Sequence, residues 1–103
     1  MERVIIWNKG PSKFLRQALK RISEDSTLQS ERVESKMLTS IMGLIPNPER
    51  YPPDKFKKNN PGNFRAFEIV SFRIAYKLTT SQIVILRIRH VKHKSLKNIK
   101  AIL

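Results

Sequence analysis

The sequence predicts an α+β sandwich of order β-α-α-β-β-β, with a helical hairpin packed on one face of a mostly antiparallel four-stranded sheet and a basic C-terminal tail. Three observations carry that expectation. Residues 63–90, NFRAFEIVSFRIAYKLTTSQIVILRIRH, alternate apolar and polar side chains in three short runs, the two-residue period of half-buried strands. Residues 12–45 repeat apolar side chains at three- and four-residue spacing, the period of amphipathic helices. Between them lies a proline-rich segment that suits neither structure.

Residues 3–8 (RVIIWN) form a short β-rich run, taken as the first strand, which Gly10-Pro11-Ser12 then breaks. From residue 12 to residue 24 the apolar positions are Phe14, Leu15, Ala18, Leu19 and Ile22, with Lys13, Arg16, Lys20 and Arg21 on the remainder. Ser26-Thr27-Leu28-Gln29 has the form of a capping box at the start of a second helix. Its apolar stripe is Val33, Met37, Leu38, Ile41, Met42 and Ile45, all expected in the core, and it ends near Gly43 to Pro46. Residues 46–62 hold five of the six prolines and read as a long ordered loop of the kind that often carries function.

In the strand region, Val70-Ser71 turns the first run into the second and sets Glu68 opposite Arg73. Thr80 to Gln82 turns the second into the third. Pairing Leu78, Tyr76 and Ile74 with Val84, Leu86 and Ile88 buries both apolar sets together. It also puts Arg73 beside Arg89 and Ala75 beside Arg87. The helices are expected to cover the apolar face, with Tyr76 pointing into the core. The opposite face gathers Glu68, Arg73, Lys77, Arg87 and Arg89, with Glu68 as the one carboxylate nearby.

Charge points in the same direction. Twenty-one Lys and Arg against eight Asp and Glu leave a net charge of +13. Such an excess opposes compaction by self-repulsion and suits an anionic partner: nucleic acid, a ribosome, an acidic protein or an anionic membrane surface. At 103 residues the chain makes one domain, residues 1–103. No run of about eighteen apolar residues predicts a membrane span, and residues 1–8 are too short for a signal-peptide core. The absence of cysteine excludes disulfides and thiolate metal sites and fits a cytoplasmic setting. With scattered carboxylates and only two histidines, neither a metal nor another cofactor is expected.

Arginines next to one another across a strand pair repel unless compensated, and the planar guanidinium binds phosphate or carboxylate oxygens bidentately. Ala66 and Ala75 leave room for such a ligand. Lys55, Lys57 and Lys58 on the loop, and the run His90-Val91-Lys92-His93-Lys94, flank this face. Histidine and lysine beside a phosphate site could support metal-free acid–base cleavage of RNA, in which the 2′-hydroxyl attacks the adjacent phosphorus.

Several segments together resemble the RelE/ParE superfamily of toxins of bacterial type II toxin–antitoxin systems. They are Asn47-Pro48 with Tyr51-Pro52-Pro53-Asp54-Lys55, then Asn63-Phe64-Arg65-Ala66-Phe67, Phe72-Arg73-Ile74-Ala75-Tyr76 and Ile85-Leu86-Arg87-Ile88-Arg89-His90. The resemblance implies a small basic toxin neutralised by an acidic antitoxin. In the RelE branch the activity is ribosome-dependent cleavage of mRNA; in the ParE branch it is poisoning of DNA gyrase. For the first activity the resemblance marks Arg73 as a phosphate-stabilising residue and Lys55, His90 and His93 as acid–base candidates. Lys57, Lys58, Arg65, Arg87, Arg89 and Lys94 would hold phosphates or RNA. The tyrosine that RelE-type enzymes often carry near the C-terminus is absent from residues 95–103. The expected activity is that of a ribosome-dependent, metal-independent mRNA endoribonuclease; a non-enzymatic gyrase poison, or a basic nucleic-acid-binding module without toxicity, are the alternatives.

Overall fold

The computed structural model describes residues 2–91. The elements run β1 (Val4–Trp7), α1 (Lys9–Asp25), α2 (Thr27–Met42), β2 (Phe64–Ile69), β3 (Phe72–Leu78) and β4 (Gln82–His90). Four strands form one sheet in the order β1-β4-β3-β2. The β2–β3 and β3–β4 pairs are antiparallel and the β1–β4 pair is parallel, so the sheet is mixed with one parallel edge. The expected α+β order is therefore the observed one. The basic tail expected at the C-terminus lies outside the described residues.

Helix α1 starts three residues earlier than its apolar period suggests, at Lys9. Pro11 sits inside its first turn, where a missing N–H has no intrahelical partner to lose, and it is buried there. Pro11, Leu15 and Ala18 face the core, and Phe14, Leu19 and Ile22 pack against its margin. Ser26 ends α1 and caps α2 at once. Its backbone N–H donates to Ile22 O (2.9 Å), and its Oγ accepts from the Gln29 N–H at 3.1 Å. Only half of the expected capping box forms, because the Ser26 N–H already serves the last turn of α1.

Helix α1 lies on β4 and α2 packs on α1. Met37, Ile41, Leu44, Ile74, Tyr76, Ile83 and Ile85 are fully buried between these layers. The α2 stripe is narrower than its sequence suggests, since Leu38 and Met42 are exposed rather than core. Residues 33, 37 and 41 follow one line of i, i+4 spacing toward the core, and Leu38 and Met42 fall one position round the helix from it.

The β2–β3 turn places Val70 and Ser71 at φ 53° and 74°. Two consecutive positive φ values give the turn the backbone twist that a tight hairpin requires. Glu68 pairs with Arg73 as expected. In β3–β4 the expected register holds only at the open end of the hairpin, away from its turn: Arg73↔Arg89, Ile74↔Ile88 and Ala75↔Arg87. A bulge then intervenes, and Tyr76 pairs with Ile85, Lys77 with Val84 and Leu78 with Ile83. The pairing of Leu78 and Tyr76 with Val84 and Leu86 is thus corrected by one residue. Leu86 is the additional residue of the bulge, and Ile83 and Ile85 take the buried positions.

Residues 43–63 wrap round the β2 edge. Tyr51 stacks on Phe67 with ring centroids 4.2 Å apart, on the core side of the sheet. Pro53 bridges to Arg65 at the edge itself, and the Asp54 N–H donates to Phe64 O at 2.8 Å. The loop thereby covers backbone groups that an edge strand would otherwise leave free. On the core side, the Tyr76 hydroxyl donates to Pro48 O at 3.0 Å.

Burial raises the Tyr76 pKa to about 12 from 10.0. The neutral phenol is favoured by folding, so this contribution is intact below pH 10 and is lost as pH rises toward 12. The loss is about 1.4 kcal/mol per pH unit across that window. Tyr76→Phe is expected to flatten this part of the pH–stability curve. At pH 7 it should lower stability by about 1 kcal/mol through the unpaired Pro48 carbonyl. Urea unfolding of both proteins at pH 7, 10 and 11 measures both effects.

Candidate functional site

The open face of the sheet is assembled by strand alternation. On β3, Arg73, Ala75 and Lys77 point away from the helices; on β2 their partners are Glu68, Ala66 and Phe64. On β4, Arg89 and Arg87 stand beside Arg73 and Ala75. The far half of the loop completes the site with Asp54 and Phe56. Asp54, Phe56, Arg73, Ala75, Arg87 and Arg89 line an open pocket of about 270 Å³. Ala75 forms its floor between the long arginines, and Ala66 lines a neighbouring depression with Lys55 and Glu68.

Arg73 is the most constrained of these cations. Its guanidinium donates to Asp54 Oδ1 at 2.7 Å and lies 3.8 Å from Glu68 Oε2. It also sits over the Phe56 ring, 4.7 Å from the centroid. Its side chain is 11% exposed and that of Asp54 15%, so the pair is well shielded from water. Glu68 is therefore not the one carboxylate near the cluster, as the strand pattern suggests. Asp54 is nearer, because the loop crosses the β2 edge and returns over this face. Arg87 and Arg89 form no ion pair among the described residues.

The loop lysines divide. Lys57 lies over Phe64 (4.6 Å to the centroid), as does Lys77 at 5.4 Å. Lys55 lies over Phe56 at 5.2 Å, beside Arg73. Phe56 is 65% exposed, so a flat ring flanked by cations lies open beside the arginines. Lys58 is exposed on the same loop.

Two of the other candidates are placed elsewhere. Arg65 pairs with Tyr76 across the strands and points to the core side. There it donates to Gly62 O (2.9 Å) and Tyr51 O (2.6 Å), tying down the first half of the loop. His90 pairs with Phe72 and contacts the rings of Phe72 and Phe14, with centroids 4.7 and 5.3 Å away. It therefore lies on the helix side of the sheet, opposite the arginines. His93 and Lys94 lie outside the described residues. Among the described residues, no three His, Cys, Asp or Glu side chains group as a metal site.

A model of the ParE toxin family, described as the ParE toxin of the type II toxin–antitoxin system parDE, matches residues 5–94. The chain belongs to this family. No curated protein matches the sequence. The matched span takes in both helices, β2 to β4 and all of β1 but Val4, along with the loop and the arginine cluster. Family membership implies an antitoxin partner. No helix among the described residues is long and apolar enough to cross a membrane.

Asp54 and Phe56 are the site residues that the sequence pattern leaves out. Asp54 Oδ1 accepts from the Phe56 N–H at 2.9 Å, an Asx turn following two prolines. That local signal is readable in the sequence; the partnership with Arg73, nineteen positions on, is not. Asp54→Ala is expected to destabilise the toxin by about 2–4 kcal/mol, since it strands a shielded guanidinium and opens the turn. Phe56→Ala, which removes an exposed ring, should change stability by less than about 1 kcal/mol. Denaturant midpoints at pH 7 distinguish the two.

Proposed function

We propose that this toxin acts by binding rather than by cutting. In this reading Arg87 and Arg89 meet phosphate or carboxylate groups of a nucleic-acid-containing target, and Arg73 sets the depth of the pocket. The target that fits the family is DNA gyrase engaged with cleaved DNA. The observation that carries the reading is the division of the sheet. Three arginines collect on one face, while His90, the one histidine among the described residues, lies against the rings of Phe14 and Phe72 on the other, exposed and facing away from the cluster. Arginine stays protonated throughout the physiological range. A cluster of arginines therefore holds charge firmly and moves protons poorly. The antitoxin, in the same reading, is acidic and covers this cationic surface.

A second reading, ribosome-dependent cleavage of mRNA, has one specific observation in its favour. Arg73 borders two adjoining depressions, one carrying Asp54 and the exposed ring of Phe56 and the other carrying Lys55 and Glu68. Arg73 would then stabilise the developing phosphoryl charge, and Lys55 or His93 would exchange the protons.

One set of assays separates these readings. Under the binding mechanism, the purified toxin inhibits supercoiling by gyrase at micromolar concentration and leaves mRNA intact in a translating extract. Arg87→Ala with Arg89→Ala weakens inhibition at least tenfold with the fold retained. Cleavage of mRNA that disappears in Arg73→Lys, with supercoiling unaffected, reverses the assignment.

A further inference from the structure

Helix α1 carries a second, independent cationic surface. Between Lys9 and Arg21 its charged residues are Lys9, Lys13, Arg16, Lys20 and Arg21, with no acid among them. All five are exposed, and none forms an ion pair among the described residues. Because Pro11, Leu15 and Ala18 hold the inner face of the helix against the core, these cations look away from the sheet. The ridge and the arginine cluster thus occupy opposite sides of the molecule. Helix α2 provides an internal contrast. Its Glu31 and Glu34 balance Arg32 and Lys36, the mixed pattern of a solvated helix.

The spacing on α1 is unfavourable for the isolated chain. Lys9–Lys13 and Arg16–Lys20 are like-charge pairs at i, i+4, and Lys13–Arg16 is one at i, i+3; each weakens a helix. The first turn contains no acidic residue, and the Asn8 side chain makes no capping hydrogen bond. The positive end of the helix dipole therefore adds to the potential at Lys9. Beside it, Trp7, Lys9, Ser12, Lys13 and Arg16 line a shallow depression of about 390 Å³.

We infer that the outer ridge of α1, formed by Lys9, Lys13, Arg16 and Lys20, docks on the phosphate backbone of a nucleic-acid duplex. From Lys9 to Lys20 the ridge extends about 16 Å at the helical rise of about 1.5 Å per residue. That length meets several phosphates of one strand, spaced about 3.4 Å along the duplex axis. The remaining exposed side chain between these cations is Gln17, and the one ring that borders the ridge, Trp7, lies at its end, half-buried against the core. A straight row of four cations with a single half-buried ring at one end suits a rigid, regular row of phosphates better than a flexible single strand, which calls for successive exposed rings. The duplex is gripped without reading its sequence, and the arginine face is left free for another partner.

Trp7 is the single tryptophan of the chain and borders the ridge, so its emission reports occupancy there. The full-length toxin is titrated with a 20-base-pair duplex of arbitrary sequence at several salt concentrations. Four phosphate contacts give a slope of about −3.6 in log K against log salt. Replacing Lys13, Arg16 and Lys20 together by Gln should reduce the slope to about −1. Affinity in low salt should fall more than tenfold, with helix content by circular dichroism unchanged. Arg87→Gln with Arg89→Gln should leave the Trp7 response within twofold of wild type. An unaltered slope in the helix variant, or loss of the response in the arginine variant, overturns the assignment. So does binding of polyglutamate at the ridge where the duplex does not bind, which would mark a surface for acidic protein.

Discussion

The bulge at Leu86 is the constraint on which the rest of this structure depends. In a regular strand, Ile83, Ile85, Arg87 and Arg89 share one face, because side chains alternate with a period of two. Such a strand would either bury two arginines with the core or expose two isoleucines beside them. One additional residue in β4 shifts the phase, so that Ile83 and Ile85 enter the core while Arg87 and Arg89 point out. The two halves of β4 then have different tasks. The first pairs with β1 and lies over the buried core; the second presents charge next to Arg73. Burying even one unpaired guanidinium would cost several kcal/mol, far more than the ladder bonds disturbed by the bulge.

The loop solves the second problem, which is repulsion within the cluster. Arg73 and Arg89 are direct neighbours across the strands. Asp54 offsets the charge of Arg73 at 2.7 Å, and Glu68 assists at 3.8 Å. Two arginines of opposite orientation secure the same loop: Arg65 holds its first half on the core side and Arg73 its second half on the open side. The loop is thus fastened through both faces of the edge strand. The order it gains is what keeps the exposed ring of Phe56 next to the pocket.

The elements legible in the sequence are those whose period is uninterrupted. Both helices, the Val70-Ser71 turn and the Arg73–Arg89 pair follow from local pattern and from the need to bury one face. The β3–β4 register was legible only up to Ala75. Val84, Leu86 and Ile88 form as good an apolar series as Ile83 and Ile85, and sequence alternation contains no mark of where the phase slips. The exposure of Leu38 and Met42 was hidden for a related reason. Apolarity tells which residues can be buried; only the packing of α2 on α1 decides which are. The site was legible as a set of arginines and illegible as a site, because Asp54 reaches Arg73 through the fold of a long loop. The side of the sheet on which His90 falls was readable from its adjacency to Arg89, since neighbours on a strand face opposite ways.

The distribution of acids shows that the charge of +13 is not spread evenly. Of the eight carboxylates, Glu49, Asp54 and Glu68 lie with Arg65 and Arg73. Glu24, Asp25, Glu31 and Glu34 cluster where α1 passes into α2, and Glu2 precedes β1. Nothing acidic is left to offset Arg87 and Arg89 or the first three turns of α1. Three carboxylates therefore serve the loop and its two arginines, four lie exposed around the helix connection, and two surfaces on opposite sides of the sheet keep an excess of positive charge. Their separation matters physically. Exposed charges further apart than about 8–10 Å are largely screened from each other at physiological salt. Each surface can accordingly meet its own anion with little effect on the other. A toxin arranged in this way can be covered by an antitoxin on one side while still being held by a polyanion on the other.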